Sequence, residues 1–117
     1  MCIFCQIVSG NIPNNTVLET DEFLAFHDLY PKAPIHVLVI PKKHIACFQE
    51  VDPETMKGLT SFTQEVARLL GLDQSGYRLI TNNGNDGGQE IPHLHFHMLG
   101  GGKLIWEHQH ENVHKNI

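Results

Sequence analysis

The sequence predicts an α+β domain, a mainly antiparallel sheet of about five strands covered by one long helix. Three observations predict it. Short apolar and β-branched segments are joined by hairpin-length turns, the connection that antiparallel strands use. A single segment, beginning after Asp52, carries apolar residues at helical spacing over several turns. No repeat, low-complexity stretch or linker divides the 117 residues, so one domain over residues 1–117 is expected.

The elements follow in order. Val17 to Glu19 and Phe23 to Asp28 read as strands joined by a turn at Thr20-Asp21-Glu22. Pro31 and Pro34 break both helix and ladder, so Leu29 to Pro34 is a loop. His36 to Ile40 is β-branched and apolar, the pattern of a central strand buried on both faces, and it stops at Pro41. Asp52 then caps a helix with Pro53 at its first position and Glu54 in its first turn. Met56, Leu59, Phe62, Val66, Leu69 and Leu70 form one stripe, and Gly71 is placed to end it after ~18 residues, a length of ~27 Å. Tyr77 to Thr81 is another strand, and Asn82 to Gln89 is a loop by composition. His93 to Leu99 closes the set as a strand.

Composition removes several function classes. The longest apolar run, Val37 to Ile40, falls far short of the ~20 residues of a spanning helix. The N-terminus lacks the basic region of a signal peptide, so a cytoplasmic location without membrane attachment is expected. A net charge of −5 with no Lys or Arg cluster argues against nucleic-acid backbones, while leaving small nucleotides open. The three cysteines, Cys2, Cys5 and Cys47, do not suit a disulfide framework. Cys2-x-x-Cys5 therefore reads as metal-binding or redox chemistry, and Cys47 as a small buried residue.

Histidine is the excess: nine residues, three of them within His93-Leu94-His95-Phe96-His97. Strand side chains alternate, so these three share one face, with Leu94, Phe96 and Met98 on the other. Adjacent imidazoles should stand roughly 6.5–7 Å apart along a regular strand. An exposed strand or a three-histidine zinc site are the readings that compete with a catalytic row.

The His-x-His-x-His pattern with two apolar residues after it resembles the signature of the histidine-triad family. Gly87-Gly88-Gln89 before it and Gly100-Gly101 after it resemble the Hint branch of that family. The likeness extends through Ile3-Phe4, Phe26-His27-Asp28 and the run from Ala33 to His44, and spans residues 3–102, leaving 103–117 as a tail. The resemblance implies a histidine-triad fold whose sheets join across a homodimer. It implies that His95 attacks the α-phosphorus of a purine nucleoside monophosphate conjugate, an AMP or GMP phosphoramidate or acyl-adenylate, forming a nucleotidyl-histidine that water hydrolyses. An ordinary imidazole, with a pKa near 6.5, is roughly three-quarters neutral at pH 7 and needs no large shift to serve. His97 and His36 would stabilise phosphate charge. Gly88 and Glu90 would offer backbone amides, with Gln89 between them and Asn82 at the phosphate or leaving group. Glu90 stands where many Hint proteins carry Ser; it is either a general acid or a solvated residue lending its amide.

Phe26, His27, Asp28 and Leu29 would hold the nucleoside, Asp28 accepting from the ribose hydroxyls; for Phe26 a core role is the plain alternative. By resemblance to the zinc-containing subset, Cys2, Cys5, His44 and His93 would form one structural zinc site per chain, with no metal needed for catalysis; two free thiols are the alternative. In Hint relatives the C-terminal segment crosses the dimer, often with a Trp, a role Trp106 would take. His108, His110 and His114 read either as metal ligands or as a flexible polar tail. Two other functions compete: a dinucleoside polyphosphate hydrolase, which usually has Pro-Arg where this chain has Gly100-Gly101, and a nucleotide-binding interaction protein with negligible turnover.

Overall fold

The computed structural model describes residues 2–106. Five strands form one antiparallel sheet: β1 (Thr16–Glu19), β2 (Phe23–His27), β3 (Ile35–Pro41), β4 (Tyr77–Ile80) and β5 (Phe96–Gly100), in the spatial order β1-β2-β3-β5-β4. Three helices accompany it, α1 (Ile3–Val8), α2 (Pro53–Leu69) and α3 (Leu72–Ser75), with a 3-10 turn at Phe48–Glu50. No described helix is long and apolar enough to cross a membrane.

The apolar run of β3 has the character of a strand covered on both sides, and it occupies the middle of the sheet. Val37 and Val39 face a core with Phe23, Ala25, Phe96 and Met98 that α2 seals with Leu59, Phe62 and Val66. Leu38 and Ile40 face the opposite way, into a cluster with Leu24, Phe26 and Phe4 of α1. The Asp52 cap is in place: its carboxylate accepts from the Thr55 N–H at 2.9 Å, and the chain leaves α2 through Gly71 at φ +74°. Leu69 does not join the stripe. It is 56% exposed, and Leu72 of α3 is buried instead.

Besides the short α3 and the 3-10 turn, where the sequence led to one helix, the first and last elements of the chain differ from expectation. The N-terminus is a helix, because Phe4, Ile7 and Val8 pack on the sheet face that α2 leaves open. The last strand begins at Phe96, three residues later than expected. Its first residues leave the ladder because their polar groups bond elsewhere. The Leu94 N–H donates to the Ile45 carbonyl at 2.6 Å, and the His93 N–H turns back to the Ile91 carbonyl at 2.8 Å, just after Pro92.

Candidate active site and metal centre

The face of the sheet carrying α1 holds the chemistry. His97 on β5 pairs directly with Leu38 on β3, which sets it diagonal to His36 on the same face. The two rings meet with His36 Nε2 and His97 Nδ1 2.9 Å apart. The Lys32 backbone N–H donates to His36 Nδ1 at 3.1 Å, so that nitrogen is an acceptor and Nε2 carries the proton. His36 Nε2–H then donates to His97 Nδ1, which leaves His97 with its proton on Nε2. Asp28 sits beside them, one oxygen 3.5 Å from His36 Nε2 and the other accepting from the Tyr30 N–H at 2.8 Å.

Burial lowers the pKa of both histidines; for His36 the Asp28 carboxylate opposes this. For His97, burial together with the neighbouring His95 and His36 brings the value to about 4. Both are neutral at physiological pH, consistent with the direction of their hydrogen bonds. Asp28, His36 and His97 lie close enough to hold a cation between them. With its Nδ1 accepting from an amide, however, His36 must keep its proton on the nitrogen that would face the ion.

His95 is buried at 7% exposure and lies in edge contact with His97, ring centroids 5.1 Å apart. Its Nδ1–H donates to the His93 carbonyl at 2.7 Å, so Nε2 holds the free lone pair. That carbonyl can reach the ring because His93 is outside the ladder. The alternation of faces survives the early end of the strand, since Phe4 packs edge-on against both His93 and His95, at 5.7 and 5.1 Å between centroids.

A cavity of about 430 Å³ opens over these rings. It brings together His95, His97, His36, Asp28, Asn82, Gly88 and Glu90. Phe26, His27, Leu29 and Gln89 are not in its lining. Phe26 is 5% exposed against Phe4 in the core, Leu29 is 84% exposed, and His27, at the end of β2, is exposed. Gln89 points inward: its side-chain N–H groups donate to the Ala46 and Ile91 carbonyls at 2.7 and 3.0 Å, and its oxygen accepts from the Gly84 N–H at 2.9 Å. The Gly88 N–H donates to the Asn85 carbonyl at 3.0 Å within the loop, so the expected anion cradle is not open at that amide. A side chain at Gly87 would strike the Asn83 backbone, and Gly88 has φ +80°. The loop is further pinned by Asn82, whose amide donates to the Gly87 carbonyl at 2.8 Å.

Sequence reasoning passed over Phe4, Tyr30 and Lys32. Phe4 had a signal, because Phe4, Ile7 and Val8 recur at helical spacing. Lys32 is the one Lys or Arg in the cavity lining.

At the other end of α1, Cys2 precedes the helix and Cys5 lies one turn in. The four ligand atoms of Cys2, Cys5, His44 and His93 lie within 4.8 Å of one another. Cys2 Sγ is 3.4 Å and Cys5 Sγ 3.7 Å from His93 Nδ1, while Cys5 Sγ is 3.3 Å from His44 Nδ1. His93 is fully buried, and its Nε2–H donates to the Pro41 carbonyl at 2.8 Å, which turns a lone pair on Nδ1 toward the sulfurs. Trp106 is 78% exposed with the Arg78 guanidinium 5.7 Å over its ring; His108, His110 and His114 lie outside the described residues.

The HIT domain model matches residues 9–104. The chain belongs to the HIT family. An uncharacterized HIT-like protein of Helicobacter pylori is 48% identical over 103 residues, covering 88% of this chain and 99% of that protein. The crystal structure of a HIT family hydrolase from Legionella pneumophila superposes with a TM-score of 0.86 at 42% identity, over 91% of this chain and 97% of the other. A histidine triad nucleotide-binding protein from Candida albicans gives 0.79 at 31% identity, over 93% and 87%.

Proposed function

We propose that this HIT protein is a nucleotide hydrolase of the Hint type, cleaving purine nucleoside monophosphate conjugates such as phosphoramidates at the α-phosphorus. The observation that carries the reading is the state of His95, a buried imidazole lining the cavity with Nδ1–H bonded to a carbonyl and its Nε2 lone pair unshared. Nε2 attacks the α-phosphorus; an N–P bond forms while the bond to the leaving amine breaks. The amine departs with the electron pair and takes up a proton. A water oxygen then attacks the same phosphorus, gives up a proton to solvent and displaces Nε2, releasing the monophosphate and restoring neutral His95. His97 Nε2–H, held by the His36 relay, is a donor for the phosphoryl oxygens as charge spreads over them. Glu90 lies exposed in the same lining, where the cavity opens to the solvent from which the leaving amine takes its proton. Asp28 is assigned to the ribose hydroxyls, and Phe4, Leu38 and Ile91 supply apolar lining. A volume near 430 Å³ suits one nucleotide.

The Cys2, Cys5, His44 and His93 set fits structural zinc. Two thiolates and two imidazoles are a zinc donor set, and sulfur-to-nitrogen spacings of 3.3–3.7 Å match the roughly 3.5 Å edge of a tetrahedron with ordinary zinc bonds. Zinc there would supply a rigid anchor, and no step of the chemistry runs through it. The exposed edge strand β4, with Tyr77 and Leu79 uncovered, suits the homodimer that the family resemblance implies.

Hydrolysis of adenosine phosphoramidate by wild type and by His95→Ala tests the reading. Turnover should fall on the order of 10⁴-fold or more in the variant, with zinc content unchanged. Equal turnover in the two proteins, or none in wild type, overturns it.

A further inference from the structure

The start of β5 raises a question of support. The ladder between β3 and β5 begins at the pair Val39–Phe96, and that between β4 and β5 at Ile80–His97. His95 thus lies beyond the last paired residue of each neighbour, and its backbone has lost the ordinary means by which a sheet fixes a side chain. A bare backbone there would be free to rotate, and the imbalance would reach the ring. An imidazole held by one hydrogen bond to the preceding turn keeps its direction only while the peptide units on either side stay put.

Thr81, the residue that follows β4, closes the gap. Its Oγ1–H donates to the His95 carbonyl at 2.8 Å, standing in for the backbone N–H that a continued ladder would have supplied. The next residue, Asn82, fastens the glycine loop through the Gly87 carbonyl at 2.8 Å. Two adjacent side chains therefore hold the nucleophile's backbone on one side and the loop beside the cavity on the other. Thr81 is not in the cavity lining, so it has no contact with a ligand there.

We infer that Thr81 is a positioning residue for His95: its hydroxyl holds the nucleophile's carbonyl, and with it the Nδ1-protonated orientation that aims Nε2 at the cavity. The inference rests on the hydrolase reading for its kinetic consequences but not for its structural one. A hydrogen-bonded positioning group that touches no substrate should act on the rate of adduct formation and leave ground-state binding alone.

The experiment compares wild type, Thr81→Val and Thr81→Ser as full chains, with adenosine phosphoramidate as substrate. Rapid quenching follows the nucleotidyl-histidine, and ¹⁵N imidazole spectra of the free proteins report the tautomer of His95. In Thr81→Val the adduct should form about three- to tenfold more slowly, the worth of one neutral hydrogen bond. AMP affinity should stay within about twofold of wild type, as for a group outside the binding contacts. Thr81→Ser, which keeps the hydroxyl, should restore the rate. The spectra should show a single Nδ1-protonated species in wild type and Thr81→Ser, and a tautomer mixture in Thr81→Val.

Equal adduct rates in wild type and Thr81→Val overturn the inference. So does a loss in Thr81→Ser as large as that in the valine variant, because a hydroxyl that is present and does not restore the rate is not what sets it. The spectra need no turnover. If wild type proves inactive, the hydrolase reading fails by itself, and an unchanged tautomer in Thr81→Val still overturns the role given to Thr81. Should the valine variant not fold, Thr81→Ala, which also removes the hydroxyl but adds no methyl in its place, carries the same decision through its rate and its spectrum.

Discussion

His93 and His95 are two residues apart, buried at 0% and 7% exposure, and packed on the same phenylalanine, yet they hold opposite tautomers. His93 donates from Nε2 to the Pro41 carbonyl and turns Nδ1 to the thiols. His95 donates from Nδ1 to the His93 carbonyl and keeps Nε2 free over the cavity. Identical side chains present different nitrogens because of the position of one carbonyl each. A single imidazole can be a ligand or a nucleophile; the acceptor opposite the other nitrogen decides which.

Exchanging losses between the two residues is the sharpest way to break that comparison. His93→Ala should release the metal while His95→Ala retains it, as measured by metal content after gel filtration. Loss of a ligand held at hundredfold saturation removes about 2.7 kcal/mol, a fall of about 10 °C in melting temperature for a domain of this size. If His93→Ala binds zinc as wild type does and melts at the same temperature, the metal assignment is wrong.

Acid should separate the rings next. The folded pKa of His97 is about 4 against an ordinary 6.5, so below pH 6.5 the unfolded chain binds more protons than the folded one. Stability is therefore full above pH 6.5 and is lost as pH falls from there toward about 4, with His36 contributing in the same direction because its pKa is also lowered. Thermal melts across that window should show the loss, and His97→Gln should flatten it. An unchanged slope in the variant would assign the acid sensitivity to other groups.

The smallest effect concerns the loop. Gly87→Ala sets a methyl against the Asn83 backbone and should cost about 1–3 kcal/mol in urea unfolding, with a larger proportional loss of turnover than of stability because the loop borders the cavity. Wild-type stability in Gly87→Ala would show that the loop yields at little cost.

These contrasts also mark what could be read from residues alone. Asp52-Pro53 announced the start of α2 because a cap is local chemistry, and the β-branched run of β3 announced a strand covered on both faces because period and burial travel together. The placement of His36, Asp28 and His97 around one cavity required the register between β3 and β5, which no local pattern encodes. The early end of β5 was hidden for the same reason: the carbonyl that draws Leu94 out of the ladder belongs to Ile45, distant in sequence. Phe26 and Leu29 looked alike as apolar neighbours of Asp28, but one is core and the other faces solvent, since the strand ends at His27. The six-residue α1 is too short to form on propensity, and it exists because the sheet gives it a face to cover.

The relay from Lys32 through His36 to His97 begins at a main-chain amide. An amide cannot give up its proton or be exchanged by altering a side chain, so the direction of the two ring hydrogen bonds is set alike by eighteen of the nineteen possible replacements at position 32. Each of them but arginine would still remove the cation that Lys32 brings to the lining. Only proline, by deleting the N–H, would let the two rings reverse and offer an acceptor to an incoming anion. The segment already carries prolines at 31 and 34, one and two places away. A single residue thus separates a floor that presents a ring donor to the cavity from one that presents a ring acceptor.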